Sequence, residues 1–171
     1  WDWPTYFNPE LKLKGIKLNI SKWQRPPQNS SPWESKAAGL YMICTLSKHQ
    51  AEKDGYTDPL MLDHEGNLAE ATSANIFFKD KNNELHTPTP DSLLDGITKK
   101  TVIDLAKSKK IKINERKISP NEISNFKGCF ITGTAAEITP VGYILDNKFE
   151  VCDLIKDLSS SYEELVGKNK F

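Results

Sequence analysis

The apolar run Cys129 to Thr132 leads directly into the small, hydroxyl-bearing segment Gly133 to Pro140, GTAAEITP, and this junction constrains the fold more than any other stretch. A short apolar run bounded by glycines reads as a strand entering a core. The small residues that follow leave successive amide N–H groups and the Thr134 hydroxyl accessible. Such a turn suits a phosphate or a carboxylate, which bulky side chains would block. The expectation is a buried strand that ends on an anion-binding turn.

The 171 residues suffice for one sizeable core, and 37% hydrophobic with 27% charged residues is ordinary for a soluble domain. Lys+Arg and Asp+Glu both number 23, so no broad field favours nucleic acid or an anionic membrane, and charge recognition has to be local. Cys44, Cys129 and Cys152 lie far apart, without metal-ligand spacing, and read as reduced. Cys44 and Cys129 sit among apolar neighbours, as small buried hydrophobes rather than nucleophiles, which favours a cytoplasmic setting. No apolar run reaches membrane-spanning length and no signal-peptide pattern opens the chain. The start at Trp1, without methionine, reads as a cut from a longer protein.

Periodicity predicts a strand over Gly15–Trp23, then a polar loop from Arg25 to Ser35 that delivers Lys36. Ala37 to about Asp54 reads as a helix stopped by Gly55, its apolar first half AAGLYMIC expected to be buried. Leu60–Asp63 and Leu68–Lys79 read as two strands joined by the turn at 64–67, followed by a turn at 81–83 and Glu84–Thr87, together a β-meander. A helix over Ile97–Lys109, an alternating strand over Ile111–Ile118 and a capping box at Ser119–Glu122 come next. A strand over Glu137–Leu145 and an amphipathic helix over Asp153–Val166 complete the α/β alternation.

Few residues along this path could carry chemistry. A lysine amine that attacks a carbonyl works best at the start of a buried element, where it is desolvated, and Lys36 holds that position. Tyr41 can lie at the same helix end with its hydroxyl toward a ring oxygen. Glu70, acidic among small residues in LAEATSANIFF, could hold a pyridine nitrogen protonated. Asp95-Gly96-Ile97-Thr98 opens a helix whose N-terminal amides and Thr98 hydroxyl would cradle phosphate. Each also has a plainer reading: a surface lysine, a core tyrosine, a solvent-facing strand glutamate and an ordinary helix cap. His49, His64 and His86 show no metal-like grouping in the sequence, so no metal is expected. The basic stretch Lys107–Lys112 reads as a solvated helix end.

Taken in order, SKAAGLY, LAEATSANIFF, LLDGITKK and FITGTAAEITPV resemble the fold-type IV pyridoxal-phosphate enzymes, most of all the branched-chain amino-acid aminotransferases. The resemblance covers about Gly15 to Leu145. It implies the large-domain fold of that group: α/β, a mixed sheet curled into a pseudo-barrel with flanking helices. It further implies that Lys36 forms the Schiff base and moves the proton between the substrate α-carbon and the cofactor, with Tyr41 on the phenolic oxygen and Glu70 on the pyridine nitrogen. Ile97, Thr98 and Thr134 would hold the phosphate, and the amides of Thr134 and Ala135 the substrate α-carboxylate. The reaction implied is transfer of an amino group from leucine, isoleucine or valine to 2-oxoglutarate by a homodimer that uses pyridoxal phosphate.

Two departures accompany the resemblance. Many branched-chain enzymes carry a second acidic residue before the asparagine of the Glu70 segment, whereas Ala74 stands there here. The family's smaller N-terminal domain, with its phosphate-binding arginine, has no counterpart in residues 1–171, so the chain reads as the large domain alone, with partial cofactor binding and little turnover expected. A lyase of the same fold-type, similar to aminodeoxychorismate lyase, or a D-amino-acid aminotransferase would share most of these residues, although GTAAEITPV resembles the aminotransferase form more. For the isolated chain a non-catalytic anion-binding module is the reading from another class.

Overall fold

Six of the nine strands among the described residues close on themselves, and that closure brings the small-residue loops together. The computed structural model describes residues 9–91 and 93–167. Its first half contains α1 (Pro9–Lys14), β1 (Ile16–Gln24), a 3-10 turn (Ala38–Tyr41), α2 (Met42–Lys53), β2 (Asp58–Leu62), β3 (Leu68–Ala71), β4 (Asn75–Lys79) and β5 (Leu85–Thr87). The second half contains α3 (Ile97–Ser108), β6 (Ile113–Glu115), a 3-10 segment (Pro120–Asn125), β7 (Gly128–Gly133), β8 (Glu137–Ile144), β9 (Asn147–Lys148) and α4 (Asp153–Leu165).

The sheet runs β3-β2-β1-β8-β7-β4, and β3 pairs with β4 to complete the ring, while β5 and β6 continue from β4. β1 is parallel to β2 and to β8, and β5 to β6; the remaining pairings are antiparallel. This is the mixed, curled sheet with flanking helices that the sequence motifs imply.

Closure creates two cores from alternate residues of the same strands. In β4 and β7, Ile76, Phe78, Cys129 and Ile131 share one cluster with Ile16 and Leu18 of β1. Phe77 and Phe130 point the other way, onto Val102 and Ala106 of α3 and Ile155 and Leu158 of α4. They face each other in register and stack with ring centroids 5.0 Å apart. With both faces covered, a strand needs no polar alternation, which is why these runs are continuously apolar. Cys44 and Cys129 are free and buried, and burial raises both thiol pKa values, so both are poor nucleophiles.

Three expectations need correction. Leu68–Lys79 is not one strand: the small residues at 72–74 let the chain reverse, the Ala71 amide donates to the Ala74 carbonyl at 2.9 Å, and Glu70 pairs with Asn75. The helix predicted from Ala37 begins as a 3-10 turn without a side-chain cap and becomes α-helical only at Met42. Of its apolar first half only Cys44 is buried. No residue of the 3-10 turn is buried, and Met42 is 65% exposed. The strand predicted over Ile111–Ile118 pairs only over Ile113–Glu115, since β5 offers a three-residue edge; Ile118 reaches the barrel core from a loop. Beyond these, the capping box at Ser119 and Glu122 forms as read, heading a 3-10 segment rather than an α-helix.

Candidate active site

Hairpin reversal after β3, the end of β7 and the start of α3 converge on a pocket of about 280 Å³. Lys36, Tyr41, Glu70, Ile97, Thr98 and Thr134 all line it, although they come from four separate stretches of sequence. Ala135 is exposed beside Thr134 and does not line the pocket. Lys36 does not occupy the desolvated position expected of it. It lies exposed in the loop before the 3-10 turn, because the residues after it are not packed into a core.

Glu70 is the most constrained of these side chains. Buried in β3, its Oε1 lies 3.1 Å from Arg25 Nη2 and accepts the Leu94 amide at 3.3 Å. Its Oε2 accepts from Asn75 Nδ2 at 3.3 Å, and the same amide group donates to the Leu94 carbonyl at 2.8 Å. Burial raises the Glu70 carboxyl to about 7, against the opposing pull of Arg25, the Leu94 amide and Lys99. Tyr41 next to it is also raised, by burial first and by the Glu70 charge second.

The start of α3 supplies a different kind of group. Gly96 is the N-cap residue and no side chain among the described residues caps the helix, which begins at the pocket-lining Ile97 and Thr98. A Cβ on Gly96 would lie 2.4 Å from Asn75 Oδ1, so glycine allows the helix end to close against the Glu70 network. Behind it, fully buried Lys99 donates to the Pro88 carbonyl at 3.0 Å and to Glu115 at 2.9 Å, pinning the first turn of α3 to β6. At the end of β7, Thr132 Oγ1 is buried on the pocket wall without a hydrogen-bond partner among the described residues.

Sequence reading missed Arg25, Asn75, Lys99 and Thr132. Arg25 carried a signal: it is one of two arginines among 23 basic residues, and arginine is the side chain suited to a buried carboxylate. Asn75 would have followed from recognising the turn at 72–74. Lys99 and Thr132 gave no sign, since one lies in a basic helix and the other in an apolar run. The structure also brings Asp80, Glu84 and His86 together, a grouping that the linear spacing of the histidines did not show. Each is engaged there: Asp80 with the Asn82 and Glu84 amides, Glu84 with Lys112 and Asn114, and His86 with Arg116.

The class IV aminotransferase family model matches residues 3–144. The chain belongs to the class IV aminotransferase family. Within this family it is 40% identical over 163 residues to the "Probable branched-chain-amino-acid aminotransferase" of Rickettsia felis, an alignment covering 92% of this chain and 56% of that protein. Among solved class IV structures, the branched-chain amino acid aminotransferase of Escherichia coli superimposes with TM-score 0.91 at 30% identity, over 96% of this chain and 55% of the other. The T.th. branched-chain amino acid aminotransferase with pyridoxamine 5'-phosphate gives TM-score 0.92 at 31% identity, over 99% and 56%. The chain spans about half the length of the relatives it matches.

Proposed function

We propose that the chain is the cofactor-binding large domain of a pyridoxal-phosphate-dependent aminotransferase that moves the amino group of leucine, isoleucine or valine to 2-oxoglutarate. The observation that carries this reading is the convergence of Lys36, Tyr41, Glu70, Thr98 and Thr134 on one pocket in a chain of this family.

The residues present fit the cofactor. The start of α3 and the Thr132 hydroxyl, neither of which has a side-chain partner among the described residues, suit an anion and a hydrogen-bonding ligand. Glu70, clamped from three sides and raised to about 7, gains from any cation set against it, as a protonated ring nitrogen would be. In this assignment Lys36 is the covalent attachment point, Tyr41 meets the phenolic oxygen, Glu70 the ring nitrogen, and Ile97, Thr98 and Thr134 the phosphate. When bound, the cofactor draws electrons from the substrate α-carbon and carries the amino group between the two half-reactions. Lys36 takes and returns the proton at that carbon, and Thr134 and Ala135 orient the substrate carboxylate with their amides. Arg25 keeps Glu70 in place without reaching the reacting atoms.

The intact enzyme is a homodimer in which the smaller domain and the second subunit complete the pocket, and the isolated chain turns over little. Exposed Ile97 at the pocket supports this, since a finished site excludes water from such a surface.

Treatment with pyridoxal phosphate, borohydride reduction and peptide mapping tests the reading. Label confined to Lys36, and lost in Lys36→Ala, is expected. Label spread over many lysines, both here and with the upstream half restored, would overturn it. With the upstream half present, transfer from L-leucine rather than D-amino acids, and without pyruvate release, distinguishes the reaction from the related activities of the same fold.

A further inference from the structure

We infer that Lys12 and Glu137 are positioning residues that hold the anion turn Thr134–Ala136 in its binding shape, an inference that rests on the proposed role of Thr134 and Ala135 as the carboxylate site. The turn joins β7 to β8 in three residues, with Gly133 paired to Glu137. Closing so short a loop requires a left-handed residue at its exit, a place where glycine is usual. Here the residue is Glu137, with φ 52°.

A glutamate in a conformation that suits glycine carries a backbone cost that the surrounding structure has to offset. Its carboxylate meets Lys12 Nζ at 2.7 Å, with the glutamate side chain 10% exposed and the lysine 32%. Lys12 lies on α1 and also reaches Glu163 of α4 at 3.7 Å, so the exit of the turn is tied to two helices outside the barrel. From below, buried Thr139 donates to the Ala136 carbonyl at 2.6 Å. The turn, of which Thr134 lines the pocket, is therefore braced at its exit by an ion pair and at its base by a hydroxyl.

The pair also sets the local charge. Lys12 sets a positive charge against the Glu137 carboxylate, and taking that charge away makes the position directly after the anion-binding turn more negative. Removal of the lysine should therefore weaken anion binding more than removal of both partners. A purely structural role does not predict that order.

The experiment titrates the 171-residue chain with isocaproate, the desamino carboxylate of leucine, and reads the amide shifts of Thr134 and Ala135. Inorganic phosphate, read at Ile97 and Thr98, serves as the second probe. Lys12→Met is expected to weaken isocaproate binding by about tenfold, Lys12→Met with Glu137→Gln less than that, and neither to change the phosphate response. Glu137→Gly relieves the backbone strain, so its melting temperature is expected above that of Glu137→Gln while its isocaproate affinity falls with it. Unchanged isocaproate affinity in folded Glu137→Gly and Lys12→Met would overturn the inference and leave the proposed function standing. Equal weakening of both probes would also overturn it, as general loosening. A wild-type chain whose Thr134 and Ala135 amides ignore isocaproate would bring down the carboxylate site and this inference together.

Discussion

Arg25 Nη2 and Glu70 Oε1 lie 3.1 Å apart with both side chains more than nine-tenths buried, which joins the loop before Lys36 to the hairpin that carries the carboxylate. The pair has no solvent to fall back on, and a second arginine nitrogen contacts Cys44 Sγ at 3.4 Å. Loss of either partner takes a buried polar contact from the other.

Arg25→Met is therefore expected to destabilise the chain by roughly 1–3 kcal/mol, the range for a buried polar group that loses its partner, since Glu70 takes up a proton instead of staying charged. Glu70 should also hold its proton to higher pH, since the positive charge that favours its ionised form is gone. Chemical denaturation and the carboxyl carbon shift of Glu70 check both. A variant that melts like wild type would show that the pair contributes nothing.

Glu70 should also leave a mark on the pH dependence of stability. Its folded pKa of about 7 lies above the ordinary value of 4.5, so the folded chain binds more protons between those values and loses stability as pH rises through that window. The contribution is complete below 4.5 and gone above about 7, with a size of about 3 kcal/mol at most. Urea melts of wild type and Glu70→Gln across the window should converge or diverge by that amount. Parallel curves would refute the shift.

Gly96→Ala tests the closure of α3 against the Glu70 network. The backbone there, φ −64° and ψ 139°, accepts alanine, so the effect comes from the 2.4 Å approach to Asn75 Oδ1 alone. A loss of about 1–3 kcal/mol is expected, and it should shrink when Asn75→Ala is already present, because the clash partner is gone. Full additivity in that cycle would place the effect elsewhere.

The capping box offers a graded comparison. Ser119→Ala removes one acceptor for the Asn121 amide and should cost about 1 kcal/mol. Glu122→Ala should cost more, because Glu122 accepts the Ser119 amide at 2.9 Å and also takes two bonds from Arg116, at 3.1 and 2.7 Å. Thermal melts that rank the two the other way would remove the link to Arg116.

Legibility followed the range of the interaction. The α3 helix, the capping box, β7 and the terminal helix α4 were readable because a few neighbouring residues set their periodicity and caps. Six of the residues that line the pocket were named from the sequence, some by a local chemical oddity (an acid among small residues, glycine before a helix, a lysine after a polar loop) and Ile97 only through the family resemblance. The break at 72–74 was not, since LAEATSANIFF has the composition of one strand and only the Glu70–Asn75 pairing shows the reversal.

The sequence by itself determined which residues could meet an anion or a carbonyl, and that the chain alternates strands with helices, because propensity, capping and turn chemistry act over a few residues. Tertiary structure alone decided that β3 and β4 close the barrel, that Arg25 reaches Glu70, and that the apolar start of the Lys36 helix stays at the surface. Burial and pairing between distant segments depend on how all the elements pack, and no local pattern encodes which charge will find its partner.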